Sequence, residues 1–149
     1  MKSPATILPE IMTGVQHLYR AVGEGGVPQT TLELVHMRAS QINGCSACVE
    51  YGVRSAGRNG EMVDRLLRLA AWRETDCFTP AERAALALAE AATRLADRPD
   101  AVTDEIWDEA TEHYDEKGLA ALIVTIGATN MFNRINTTIR QPAGAGWGD

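Results

Sequence analysis

The chain has 149 residues, 45% of them hydrophobic, and a formal net charge of −6 at neutral pH. That length and apolar content suit one domain, 1–149, with a sizeable core, and exclude a disordered polymer. The acidic balance argues against a nucleic-acid partner, which would need a basic surface.

Strand signals are almost absent, since Val and Ile recur at helical rather than alternating spacing. Glycine and proline divide the chain into about seven helical segments, so the expected fold is an all-α bundle of about six to seven helices. The N-terminal Met1-Lys2-Ser3-Pro4-Ala5-Thr6 carries no apolar stretch of secretory type. No apolar run approaches the ~20 residues that span a membrane. A cytoplasmic location without a membrane partner is the expectation.

The first helix is expected from Ile7 to Val22, with Leu8, Ile11, Met12, Val15, Leu18, Tyr19 and Val22 on one face. Gly23-Glu24-Gly25-Gly26 ends it. The second runs from about Thr30 to Asn43. Leu32, Val35, Ala39 and Ile42 form one stripe, and Leu34 and Met37 a second, which predicts burial around much of its circumference. Asn43-Gly44 stops it. The third starts at Cys45 and reaches about Gly57 before Arg58-Asn59-Gly60. The fourth is expected over Glu61–Glu74, with Met62, Val63, Leu66, Leu69, Ala70 and Trp72 inward.

Thr79-Pro80-Ala81-Glu82 reads as a capping box opening the alanine-rich fifth helix, which runs to about Ala96. Thr103 caps a short sixth helix to about Tyr114, with Ile106, Trp107 and Ala110 inward. The seventh runs from about Glu116 to Arg140. The Gly- and Pro-rich tail, 141–149, is expected to be flexible.

The chemistry concentrates at Cys45-Ser46-Ala47-Cys48. Both thiols fall at the start of the third helix, where unsatisfied N–H groups carry partial positive charge and lower a thiol pKa below its free value of ~8.5. Their spacing puts the sulfurs on one face within disulfide reach, which implies a reversible dithiol–disulfide cycle. A metal site would need about four ligands, and His17, His36 and His113 do not pair at ligand spacing. A thioredoxin fold would need a βαβ pattern, which is missing. The remaining alternative is a pair of inert buried thiols. Cys77 is left as an unpaired thiol.

Glu33 has two readings. Thr30 to Glu33 fits a capping box, and Glu33 also suits a buried proton acceptor beside the thiols. Trp72 reads as a core or interface anchor; Glu82, Arg83 and Glu90 read as structural caps and pairs. Asn130, Asn133 and Asn136 are expected to satisfy polar groups at a subunit contact.

Glu33, Arg38-Ala39-Ser40-Gln41-Ile42-Asn43-Gly44-Cys45 and Cys48 resemble the core of the alkylhydroperoxidase D (AhpD)-like proteins of the carboxymuconolactone decarboxylase-like superfamily. Leu69–Glu74, Phe78–Glu90 and Asn133-Arg134-Ile135-Asn136 extend the resemblance over about residues 30–140. It implies an AhpD-like helical protomer assembled into a homo-oligomer, a trimer or hexamer. It also implies a peroxidase cycle in which Cys48 attacks a hydroperoxide, Cys45 resolves the sulfenic acid, and Glu33 accepts a proton. No cofactor or metal is expected, because an external dithiol, on a lipoyl protein or a thioredoxin-like one, restores the pair.

The sequence departs from that pattern between the cysteines, where some members carry histidine and this chain has Ala47, and again beyond them. The peroxidase members carry histidine four residues after the second cysteine, where this chain has Gly52. His36, three residues after Glu33, and Tyr51, three after Cys48, are the candidate substitutes. Histidine restored at position 52 is expected to raise the rate. The alternatives are a decarboxylase-type enzyme of the same superfamily and a non-enzymatic redox sensor or oligomeric module.

Overall fold

The computed structural model describes residues 1–144. Among them are eight α-helices and one 3₁₀ helix, with no strand: α1 (Pro4–Ile7), α2 (Glu10–Gly23), α3 (Gln29–Asn43), α4 (Ser46–Arg58), α5 (Val63–Arg68), the 3₁₀ helix (Leu69–Glu74), α6 (Pro80–Thr93), α7 (Asp104–His113) and α8 (Glu116–Thr138). The all-α expectation is met. Two of the expected helices are each divided.

The first division lies at Leu8-Pro9. Proline disfavours the helical region for the residue before it, and Leu8 sits at φ −114°, ψ 83°. The second lies in the segment expected over Glu61–Glu74. There Arg83 donates to the carbonyls of Trp72, Arg73 and Thr75. Those carbonyls point to a guanidinium rather than along a helix, and Ala71 leaves helical geometry at φ −118°, ψ 36°. Met62, Val63 and Ala70, expected inward, are exposed.

α3 is the central helix, packed against α4, α6 and α8. Both of its expected stripes are used, each in a different core. Leu32 and Val35 pack with α6, α7 and α8 residues such as Ala85, Leu88, Ala110 and Leu122. Leu34 and Met37 pack with Leu66, Leu69, Trp72, Phe78 and Leu86. Leu34 and Val35 are fully enclosed. Truncating either to alanine removes buried methyls and leaves a cavity, a loss of about 2–4 kcal/mol.

The α6 capping box forms as the sequence predicts: Glu82 N–H donates to Thr79 Oγ1 at 3.2 Å and Thr79 N–H to Glu82 Oε2 at 2.8 Å. Trp107, expected inward on α7, is 41% exposed, because the core side of that short helix is filled by Ala110 and Ile106. α8 meets the length and mean hydropathy (1.2) of a membrane span, contrary to the sequence expectation, but 61% of that window is buried within the bundle. Of the tail expected to be flexible, Gln141 N–H donates to Asn136 O at 2.9 Å and Gly144 N–H donates to Glu50. The remaining residues, 145–149, lie outside the described ones.

Candidate functional site

The α3–α4 junction builds the site. Gly44 takes the left-handed conformation (φ 66°) that ends α3. Cys45 follows as the extended N-cap of α4, and its sulfur accepts the Cys48 N–H at 3.3 Å. Cys48 falls in the first turn, as expected. A disulfide joins the two across a Cα–Cα distance of 5.3 Å, within the normal range. Both cysteines are buried. Asn136 of α8 donates from Nδ2 to Cys48 Sγ at 3.3 Å, so a long-range contact singles out the second sulfur.

Glu33 is buried on α3. The capping-box reading does not hold: α3 begins at Gln29 with Pro28 at the cap position and no side-chain cap bond. Glu33 Oε1 instead accepts from Ser55 Oγ at 2.7 Å, Gln29 Nε2 at 3.0 Å and Asn59 Nδ2 at 3.1 Å. These neutral donors fix the carboxylate in place. All three bonds converge on Oε1.

His36 lies between α4 and α8. Its Nε2 is 3.3 Å from the Cys48 carbonyl and its Nδ1 is 3.3 Å from Thr129 Oγ1. A carbonyl oxygen only accepts, so Nε2 carries the proton and Nδ1 accepts from the Thr129 hydroxyl. Burial pushes the imidazole below its ordinary value of 6.5, against the raising effects of the Cys48 carbonyl and the Glu33 carboxylate. A neutral imidazole beside the cysteine pair is the result. Tyr51, 43% exposed, stands edge-on to His36 with ring centroids 6.0 Å apart.

Gly52 explains the position of His36. A Cβ built there meets Met37 Sδ at 2.3 Å and His36 Cδ2 at 3.0 Å. The space a side chain at 52 would enter is held by His36 and by Met37 of the core. A histidine placed at 52 would have to shift the Met37 thioether and press on the edge of the imidazole already present.

Glu33, His36, Cys48, Tyr51, Ser55, Asn59 and Thr129 line one cleft of about 990 Å³, and Cys45 does not. Its other wall comes from α1 and α2, through Ala5, Met12, Val15, Tyr19 and Val22. Burial pushes the Tyr19 phenol above its ordinary value, with Tyr51 and Glu33 adding to the effect. Glu33, His36, Cys48 and Tyr51 of the sequence candidates thus meet around one space, with Cys45 outside it.

Asn130 and Asn133 do not await a second subunit. Asn43 Nδ2 donates to both, at 2.9 and 2.8 Å, Asn130 donates to Thr93 at 3.1 Å and Asn133 to Ser40 at 3.1 Å. With Asn136 they clamp α8 onto α3 and α4. The donors Ser55, Asn59, Gln29 and Thr129 were not among the sequence candidates, because each is an ordinary polar residue whose partner lies on another turn or element; Asn136 was expected at a subunit contact and instead meets Cys48. Cys77 is a free thiol, half-buried, accepting from Thr75 Oγ1 at 3.4 Å.

The model of the carboxymuconolactone decarboxylase family matches residues 9–91. The chain is 34% identical over 137 residues to the uncharacterised protein YdfG of Bacillus subtilis, covering 92% of each. It is 35% identical over 111 residues to the uncharacterised YnjA of Escherichia coli, covering 74% of this chain and 59% of that one. A crystal structure from Agrobacterium tumefaciens, a protein of unknown function proposed to be the antioxidant defence protein AhpD, superposes with a TM-score of 0.84 at 29% identity, over 95% of this chain and 96% of that one. The debrominase Bmp8 shares the fold, with a TM-score of 0.80 at 22% identity over 92% of this chain and 73% of that one. Sequence and structure agree: the chain belongs to the carboxymuconolactone decarboxylase family and has the AhpD-like fold.

Proposed function

We propose that the protein is a thiol-dependent peroxidase working through a Cys45–Cys48 dithiol–disulfide cycle. One observation carries this reading: of a joined cysteine pair at a helix start, only Cys48 reaches a cleft that also holds a fixed carboxylate and a neutral imidazole. In the reduced protein the Cys48 thiolate attacks the terminal oxygen of a hydroperoxide. The O–O bond breaks, an S–O bond forms, and the alkoxide leaves as alcohol after taking a proton. Cys45 then attacks the Cys48 sulfenic sulfur, forming the S–S bond and releasing water. An external dithiol, lipoyl-bearing or thioredoxin-like, reduces the disulfide and is itself oxidised.

In this reading Glu33 accepts the Cys48 thiol proton, and His36, through its bond to the Cys48 carbonyl, positions the cysteine where the histidine at position 52 is absent. Tyr51 borders the route from the solvent side. Asn136 and the α4 N-terminus stabilise the thiolate. The setting is the cytosol, where a dithiol donor is kept reduced. The working form is a homo-oligomer, a trimer or hexamer, built on exposed apolar residues such as Ile123, Val124 and Met131 of α8.

Cumene hydroperoxide consumption with dihydrolipoamide as reductant tests the reading. Turnover by the wild type, its loss in Cys48→Ser and a fall of at least tenfold in Glu33→Gln are expected. Equal rates for wild type and Cys48→Ser would refute it. Negligible turnover together with an oxidation-dependent change in oligomer size would replace it with a redox sensor.

A further inference from the structure

The cleft has a charge character that the thiol chemistry does not require. Its walls include one carboxylate, Glu33, and among the described residues no lysine or arginine. His36, the remaining titratable group able to carry positive charge, is held toward its neutral form by burial. Of the first turn of α4 only Cys48 lines the cleft, and its N–H is bound to Cys45 Sγ at 3.3 Å.

The apolar wall points the same way. α2 is a strongly amphipathic helix, yet Val22 is its one fully buried residue. Met12, Val15, Tyr19 and Val22 recur at helical spacing and line the cleft. An apolar stripe normally ends up in a core; this one is spent on a wall. Phe132 and Leu32 continue the apolar lining from α8 and α3. A space of about 990 Å³ is at the upper end of sites for small organic ligands.

We propose that this cleft selects bulky, uncharged, apolar ligands and rejects those bearing a carboxylate or another anionic group. An anion entering it would lose its hydration without gaining a counter-charge, and would meet the Glu33 carboxylate. The substrate class is therefore neutral organic hydroperoxides: aromatic or branched-alkyl hydroperoxides and esterified lipid hydroperoxides, rather than free fatty-acid hydroperoxides. The proposal rests on the peroxidase reading for the reacting group only; the charge selection belongs to the cleft.

Binding to the oxidised protein separates the two, because it needs no turnover. Calorimetry with methyl 4-isopropylbenzoate and with 4-isopropylbenzoate, at the same pH and salt, is the measurement. The ester is expected to bind at least tenfold more tightly than the acid. Thr6→Lys, at an exposed lining position of α1, and Val15→Lys each place a cation at the wall and are expected to narrow or reverse that ratio, with folding of each checked by far-UV circular dichroism. Acid binding as tight as ester binding in the wild type overturns the proposal, as does absence of ester binding at millimolar concentration. Neither result touches the peroxidase reading, and loss of peroxide turnover does not touch this one.

Discussion

Gly52 leaves room for Met37 and His36, which a Cβ at that position would crowd. A side chain at 52 must displace the Met37 thioether, buried in the core, and the edge of the His36 ring. Gly52→His is expected to destabilise the protein by about 1–3 kcal/mol, the usual effect of overpacking, and to lower peroxide turnover rather than raise it. Urea titration and the peroxide assay check both. Asn136 donates to Cys48 Sγ, the sulfur proposed to react. In a Cys45→Ser background, Asn136→Ala is expected to raise the Cys48 thiol pKa, seen as an alkaline shift in the pH profile of iodoacetamide alkylation. An unchanged profile would remove Asn136 from the site. The cysteines and Glu33 were legible in the sequence because their types and spacing carry chemistry. Asn136 was singled out, but as a subunit-contact residue, since nothing in the sequence places position 136 beside position 48.

Elements were legible where local signals decide them and illegible where distant groups intervene. The α6 capping box and the Gly44 stop are local, and both appear as read. Thr30 to Glu33 has the same local pattern, but Pro28 starts α3 earlier and the Glu33 carboxylate turns to Ser55 and Asn59 of the next helix. The break in the segment after Gly60 depends on Arg83, which lies on α6. Glu90 ties that region together, accepting from Arg38 Nε at 2.6 Å, from Trp72 Nε1 at 3.0 Å and from Arg73. Burial alone would raise its carboxyl, but the hydrogen bonds from Arg73, Trp72 and Arg38 hold it below the ordinary 4.5. Glu90→Gln leaves the largely buried Arg38 without its anion and is expected to cost about 3 kcal/mol in urea unfolding at neutral pH.

For the whole molecule, these two groups set an acid limit. The folded-state value of His36 lies below 6.5, so the unfolded chain binds more protons just below that pH. This contribution is complete above about 6.5 and is lost as the pH falls through the folded value. Glu90 has the same sign lower down: its contribution is complete above 4.5 and disappears as the pH falls through its depressed value. The urea midpoint is therefore expected to begin falling near pH 6.5 and to fall further below 4.5. His36→Asn should abolish the first fall and keep the second. The all-α bundle was readable from periodicity, but the cleft was not, because the apolar face of α2 looks the same in sequence whether it meets a core or a ligand space.

In the proposed cycle Cys48 is the thiol that meets the peroxide and Cys45 the one that resolves it. Mass spectrometry after a single turnover tests it most directly: fully reduced protein is mixed with one equivalent of cumene hydroperoxide and quenched within seconds. The account predicts loss of two hydrogens with a Cys45–Cys48 disulfide in the wild type. It predicts one added oxygen on Cys48 in Cys45→Ser, and no rapid oxidation in Cys48→Ser. Rapid oxidation of Cys45 in the Cys48→Ser protein, or none in the wild type, would contradict it.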